Sequence, residues 1–203
     1  MKKTHIFFII LYFVYACEKN ISTEDIVPEE LKTFLIVDKG NIRYLDTILN
    51  AKNNSHYQVI TFPIDLDSDG TEDISFYIKR ISDFYLAFYS DFEIHSLNDK
   101  LKIITNDSIL TPKILEIGDT LNTKKSWKKA DKLSLLDINY SFFNRMDTEI
   151  IGNWYNISNK YIGFLIENEN NPTYGWVKLS IPETGWITSL TIHEVGYIKA
   201  VYD

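Results

Sequence analysis

Apolar, β-branched and aromatic residues come in short runs from about Thr33 onward, broken by Asn, Asp, Gly and Pro at the spacing of about 8–12 residues that marks a succession of strands. No segment sustains a helical period. The pattern predicts strands at Thr33–Val37, Tyr57–Ile64, Ile74–Ile81, Phe84–Tyr89, Lys102–Thr105, Ser134–Asn139, Tyr161–Glu167, Tyr174–Ile181 and Trp186–His193. In Ile74-Ser75-Phe76-Tyr77-Ile78-Lys79 the alternation assigns Ile74, Phe76 and Ile78 to the core face. Pro182-Glu183-Thr184-Gly185 supplies a preset φ and a residue tolerant of positive φ, so the last two strands are expected to form a hairpin. Parallel crossovers would need helix-length apolar periodicity between strands. Its absence predicts an all-β, antiparallel β-sandwich of jelly-roll-like form, a single domain spanning 33–203.

The N-terminus follows a different logic. Lys2 and Lys3 precede the run Ile6-Phe7-Phe8-Ile9-Ile10-Leu11-Tyr12-Phe13-Val14, and small Ala16 stands directly before Cys17. A basic start, an apolar stretch and a small residue at the end are the parts of a secretory signal, here assigned to 1–16. The apolar run falls well short of the roughly 20 residues a membrane-spanning helix needs. Val14-Tyr15-Ala16-Cys17 resembles the lipobox of bacterial lipoproteins. That resemblance implies a thiol alkylated by diacylglycerol, with Cys17 as the first mature residue and the membrane as partner through the lipid. Residues 17–32, with Glu18, Glu24, Asp25, Glu29, Glu30, Ser22, Thr23 and Pro28, have the composition of a flexible acidic tether.

Charge narrows the partners. The 203 residues carry 21 basic and 28 acidic side chains, a formal charge of −7, and loss of Lys2 and Lys3 with the signal would make it more negative still. Nucleic acid is not an expected partner, because binding a polyanion requires a concentrated basic face. Cys17 is the single cysteine, which excludes an intramolecular disulfide and a cysteine-rich zinc site. The basic cluster Lys124-Lys125-Ser126-Trp127-Lys128-Lys129 reads as a solvated loop or short helix, with contact to an anionic surface as the alternative.

One segment carries chemistry. Asp65-Leu66-Asp67-Ser68-Asp69-Gly70-Thr71-Glu72-Asp73 places carboxylates at loop positions 1, 3, 5 and 9, and glycine at 6. A hard cation such as Ca²⁺ takes six to eight oxygens, and alternate residues of a tight loop can converge on it. Asp65, Asp67, Asp69 and Asp73, with the Thr71 carbonyl, are the expected ligands. The pattern resembles the first nine positions of an EF-hand loop and the shorter D-x-D-x-D-G loops of dockerins and thrombospondin type 3 repeats. It departs at position 12, where Phe76 stands in place of a bidentate Glu, and its flanks are strands. The expectation is a calcium-stapled β-loop.

Catalytic motifs are sparse: there is no G-x-S-x-G, H-E-x-x-H or phosphate loop. Glu93 and His95 share a strand face by spacing, whereas adjacent His193 and Glu194 are expected on opposite faces. Trp154, Tyr174, Trp176 and Trp186 are candidate ligand-binding aromatics, since exposed rings on a sandwich stack on sugars. Tyr161-Ile162-Gly163-Phe164, Tyr174 to Ser180 and Ile187 to His193 are similar to the tail of a broad group of secreted bacterial proteins. Members of that group carry a D-x-D-x-D-G strand loop and, in the Bacteroidetes, a lipobox. The expected function is a non-enzymatic binding or adhesion protein, exported and lipid-anchored at the outer membrane or cell surface, its ligand a carbohydrate or another envelope protein. The alternatives are a glycan-binding module of a polysaccharide-uptake system and a small hydrolase.

Overall fold

Alternating burial builds two antiparallel sheets and one core between them. The computed structural model describes residues 34–36, 40–51, 56–83, 87–106, 110–122, 124–129, 131–141, 147–168, 171–182 and 188–200. The five-stranded sheet runs in space as β10 (Asp147–Gly152), β9 (Lys132–Ser141), β5 (Ala87–Ser96), β4 (Ile74–Asp83) and β3 (Tyr57–Ile64). The six-stranded sheet runs as β2 (Asn41–Ala51), β13 (Thr188–Lys199), β12 (Thr173–Ile181), β11 (Ile157–Ile166), β6 (Leu101–Ile104) and β8 (Trp127–Lys129). A short ribbon pairs β1 (Phe34–Leu35) with β7 (Thr120–Leu121). Among the described residues every pairing is antiparallel, as expected of an all-β sandwich.

The core draws Ile64, Ile74, Phe76, Ile78, Phe92, Ile94 and Leu136 from the first sheet and Leu49, Ile103, Phe164, Val177, Leu179 and Ile192 from the second. Ile74, Phe76 and Ile78 are buried, as their alternation predicts. A smaller apolar cluster lies on the other face of the six-stranded sheet, where Ile36, Leu115 and Leu121 cover Tyr161, Tyr174 and Trp176. There the indole of Trp176 lies flat over Gly196, where an added Cβ would stand 2.2 Å from the ring, so only glycine fits.

Four differences from the predicted elements have physical causes. β3 matches its predicted bounds, but β5 extends to Ser96, because Asp91, Glu93 and His95 alternate with core residues on a solvent-side face. β2 breaks its alternation at a bulge beside Asp46, whose φ is +42°. β10 is an edge strand with little buried surface to betray it. The basic segment expected as loop or short helix supplies the edge strand β8, anchored by Trp127 against Tyr174 while exposed Lys128 and Lys129 guard the edge. β12 and β13 pair as the predicted hairpin strands, and the turn residues 183–187 lie outside the described residues, as do Phe84, Trp186, Cys17 and the tether.

Candidate functional site

The acidic segment is the connection between β3 and β4, flanked by strands as expected. Gly70 adopts φ +91° and Ser68 φ +59°, the left-handed turns that fold the loop back on itself. Asp65 receives its own loop's backbone: its Oδ2 accepts from the Gly70 N–H at 2.9 Å and its Oδ1 from the Asp69 N–H at 3.3 Å. Asp73 closes the other end, its Oδ2 accepting from the Leu66 N–H at 2.8 Å and its Oδ1 from the Asn98 amide at 2.6 Å. The loop is further held from the six-stranded sheet, since Arg43 donates to the Asp65 carbonyl and Lys199 Nζ lies 3.7 Å from Asp67 Oδ2.

These contacts gather Asp65, Asp67 and Asp73 so that one carboxylate oxygen of each lies within 4.8 Å of the others, a group that can hold a metal ion. Oxygens about 2.3–2.6 Å from a common Ca²⁺ stand at most about 5 Å apart, so the spacing fits. Asp67 is only 4% exposed, and its Oδ1 is buried without a hydrogen-bond partner. Burial pushes the Asp73 carboxyl upward; the Asn98 and Leu66 hydrogen bonds oppose this, and the Asp67 and Asp69 charges add to it. A cation would relieve all three carboxylates at once.

Asp69 stands outside this group. It is exposed, and its Oδ1 accepts from the Thr71 N–H at 2.8 Å, shaping the turn. Phe76, at the position of the EF-hand glutamate, is fully buried in the core and cannot reach the loop as a ligand. Sequence reasoning missed Arg43, Asn98 and Lys199, which come from distant strands and loops and leave no local spacing signal.

The candidate aromatics are corrected by their burial. Trp154 and Trp176 are fully buried and Tyr174 nearly so, so none of the three offers a ring face to a sugar. Trp154 fills the core and donates from Nε1 to the Pro112 carbonyl at 2.8 Å. Glu93 and His95 do share a face, on the outer side of the five-stranded sheet. His95 Nε2 and Lys132 Nζ each lie 2.7 Å from Glu93, and the His95 ring stacks on Tyr77 at 4.8 Å. Burial raises the Glu93 carboxyl, but the Lys132 and His95 hydrogen bonds outweigh it and hold the group low. One row away, Asp91 faces Asp137 across the β5–β9 ladder, and burial pushes the Asp91 carboxyl up to about 6. The Tyr89 hydrogen bond pulls it back, and Asp137 raises it further.

His193 and Glu194 depart from the expected opposite faces. A bulge at His193 shifts the register between β13 and both of its neighbours. Glu194 then reaches Lys178 at 3.9 Å while His193 reaches Ser180, two residues along the same face of β12. Among the described residues no helix is long and apolar enough to cross a membrane. The chain matches no family model, and neither the curated proteins nor the solved structures contain a match to it.

Proposed function

We propose that the chain is an exported, lipid-anchored β-sandwich of the bacterial envelope, of the secreted Bacteroidetes type. Its β3–β4 loop is stapled by calcium, and the domain serves binding or adhesion toward a carbohydrate or another envelope protein. The observation that carries the ion is Asp67: a buried carboxylate whose Oδ1 has no hydrogen-bond partner, grouped with Asp65 and Asp73. An all-oxygen set selects a hard cation, and a loop of irregular geometry suits Ca²⁺ better than Mg²⁺, which demands a near-ideal octahedron. The anchor is supported by the order of basic, apolar and small residues ending at Cys17. With Trp154, Tyr174 and Trp176 in the core, a glycan partner would have to be met by other side chains.

Calcium titrated into the full chain during thermal unfolding tests the staple. Binding to the folded state alone contributes about 2.7 kcal/mol at a hundredfold excess over Kd, which for a chain of this size is about 5–10 °C in Tm. Asp67→Asn is expected to remove that shift. A melt indifferent to calcium and to chelator overturns the staple. The anchor is tested separately by metabolic labelling with palmitate, which Cys17→Ser is expected to abolish; label retained in that variant overturns lipidation at Cys17.

A further inference from the structure

The outer face of the six-stranded sheet carries a second constellation, away from the acidic loop. Ser180 Oγ on β12 lies 2.8 Å from His193 Nε2 on β13, and His193 Nδ1 lies 3.7 Å from Asp46 Oδ1 on β2. Three adjacent strands thus present a hydroxyl, an imidazole and a carboxylate in the order of a nucleophile, its base and the group that orients the base. The Asn159 N–H donates to Ser180 Oγ at 2.8 Å. With that lone pair occupied, we assign the Oγ proton to His193 Nε2 as acceptor, which leaves the ring proton on Nδ1 toward Asp46.

The backbone supports this placement. His193 is the bulged residue of β13, and a bulge redirects a side chain that regular alternation would place elsewhere. Asp46 and Asn159 hold φ of +42° and +53°, in the sparsely populated region where strain collects at sites of function. Register shifts in β2–β13 and β11–β12 fall at these same residues. On β2, Tyr44 and Ile48 are 71% and 66% exposed, and Ile48 continues the row Ser180, Thr191, Ile48 across the sheet. Ile48 thus lies two strand spacings, about 10 Å, from the hydroxyl, and Tyr44 stands on the next row, opposite Glu194 and Lys178.

We propose that Ser180, His193 and Asp46 hydrolyse carboxylic esters with a small apolar acyl group. Ser180 Oγ bonds to the acyl carbon as its proton passes to His193 Nε2, and the Asn159 N–H, 2.8 Å from Oγ, is the donor assigned to the oxygen that becomes negative. The carbon–oxygen bond of the alcohol breaks, and His193 returns the proton to the departing oxygen. Water then attacks the Ser180 ester, giving a proton to His193; the acid leaves and the hydroxyl is restored. Ser180 and His193 are the catalytic residues, and Asp46 acts through His193 as a positioning residue. None of this depends on the calcium staple or the lipid.

The full chain treated with a fluorophosphonate tests it. Ser180 Oγ displaces fluoride from phosphorus, and peptide mapping is expected to find one phosphonyl group on Ser180. Ser180→Ala is expected to abolish that label, and His193→Gln to slow it about a hundredfold or more, the usual weight of a general base. With p-nitrophenyl acetate, Asp46→Asn, which keeps a residue tolerant of left-handed φ, is expected to lower kcat at least about tenfold with KM unchanged. A folded wild-type chain without label on Ser180 overturns the proposal. So does labelling of Ser180 at an unchanged rate in His193→Gln, or ester hydrolysis unchanged in Ser180→Ala. Thermal melts establish which variants are folded, and the two catalytic substitutions test the site independently of each other.

Discussion

Asp67 and Asp91 each bury a carboxylate with one oxygen lacking a hydrogen-bond partner, yet their surroundings handle the charge in opposite ways. Asp67 sits in a loop that wraps inward, beside two further carboxylates already held by backbone amides of Leu66, Asp69 and Gly70. Asp91 sits on a strand ladder, directly opposite Asp137 and just before a register shift, with Tyr89 and Glu93 on its own strand and Lys79 facing it from β4. A loop can bend three oxygens around one point, whereas two rigid strands fix their carboxylates at the spacing of the pleat. The first arrangement suits a divalent ion, and the second suits a shared proton.

The largest expected effect that sharpens this contrast is at Asp91. Its folded-state value, near 6, lies above that of an unfolded aspartate, so between about pH 4 and 6 the folded chain holds more protons and stability falls as pH rises. At pH 7 the full cost is present. Asp91→Asn is expected to raise stability at pH 7 by on the order of 2–3 kcal/mol and to flatten the slope between about pH 4 and 6, read by urea unfolding across that range. If Asp91→Asn destabilises at pH 7, the ladder pair is not strained by charge and the contrast fails. A smaller effect is expected at Asp69. Asp69→Ala removes the Thr71 turn contact and is expected to cost about 0.5–1 kcal/mol while leaving the calcium-induced rise in Tm intact. Loss of that rise would make Asp69 a ligand.

The strands that bury one clean face were legible: β3 and the start of β4 follow from Tyr57–Ile64 and Ile74-Phe76-Ile78 alone. The acidic loop was legible as well, because its gathered carboxylates lie within nine residues and glycine marks the turn. What the sequence concealed depends on register. Asp91, Glu93 and His95 hide a strand by carrying charge on its outer face. Asp46, Ser180 and His193 are far apart in the chain and meet through one bulge, which no period of two can announce. The aromatic residues misled for a related reason: Trp154, Tyr174 and Trp176 look the same in sequence whether they face a sugar or a glycine backbone.

Arg43 and Lys199 give the acidic loop a mechanical meaning. Both belong to the six-stranded sheet, while the loop they touch joins two strands of the other. The loop therefore works as a clasp between the two leaves at one end of the molecule. A cation held there, as proposed, would fasten that end more firmly, and the order in which the leaves part under heat or tension would then follow the local cation concentration.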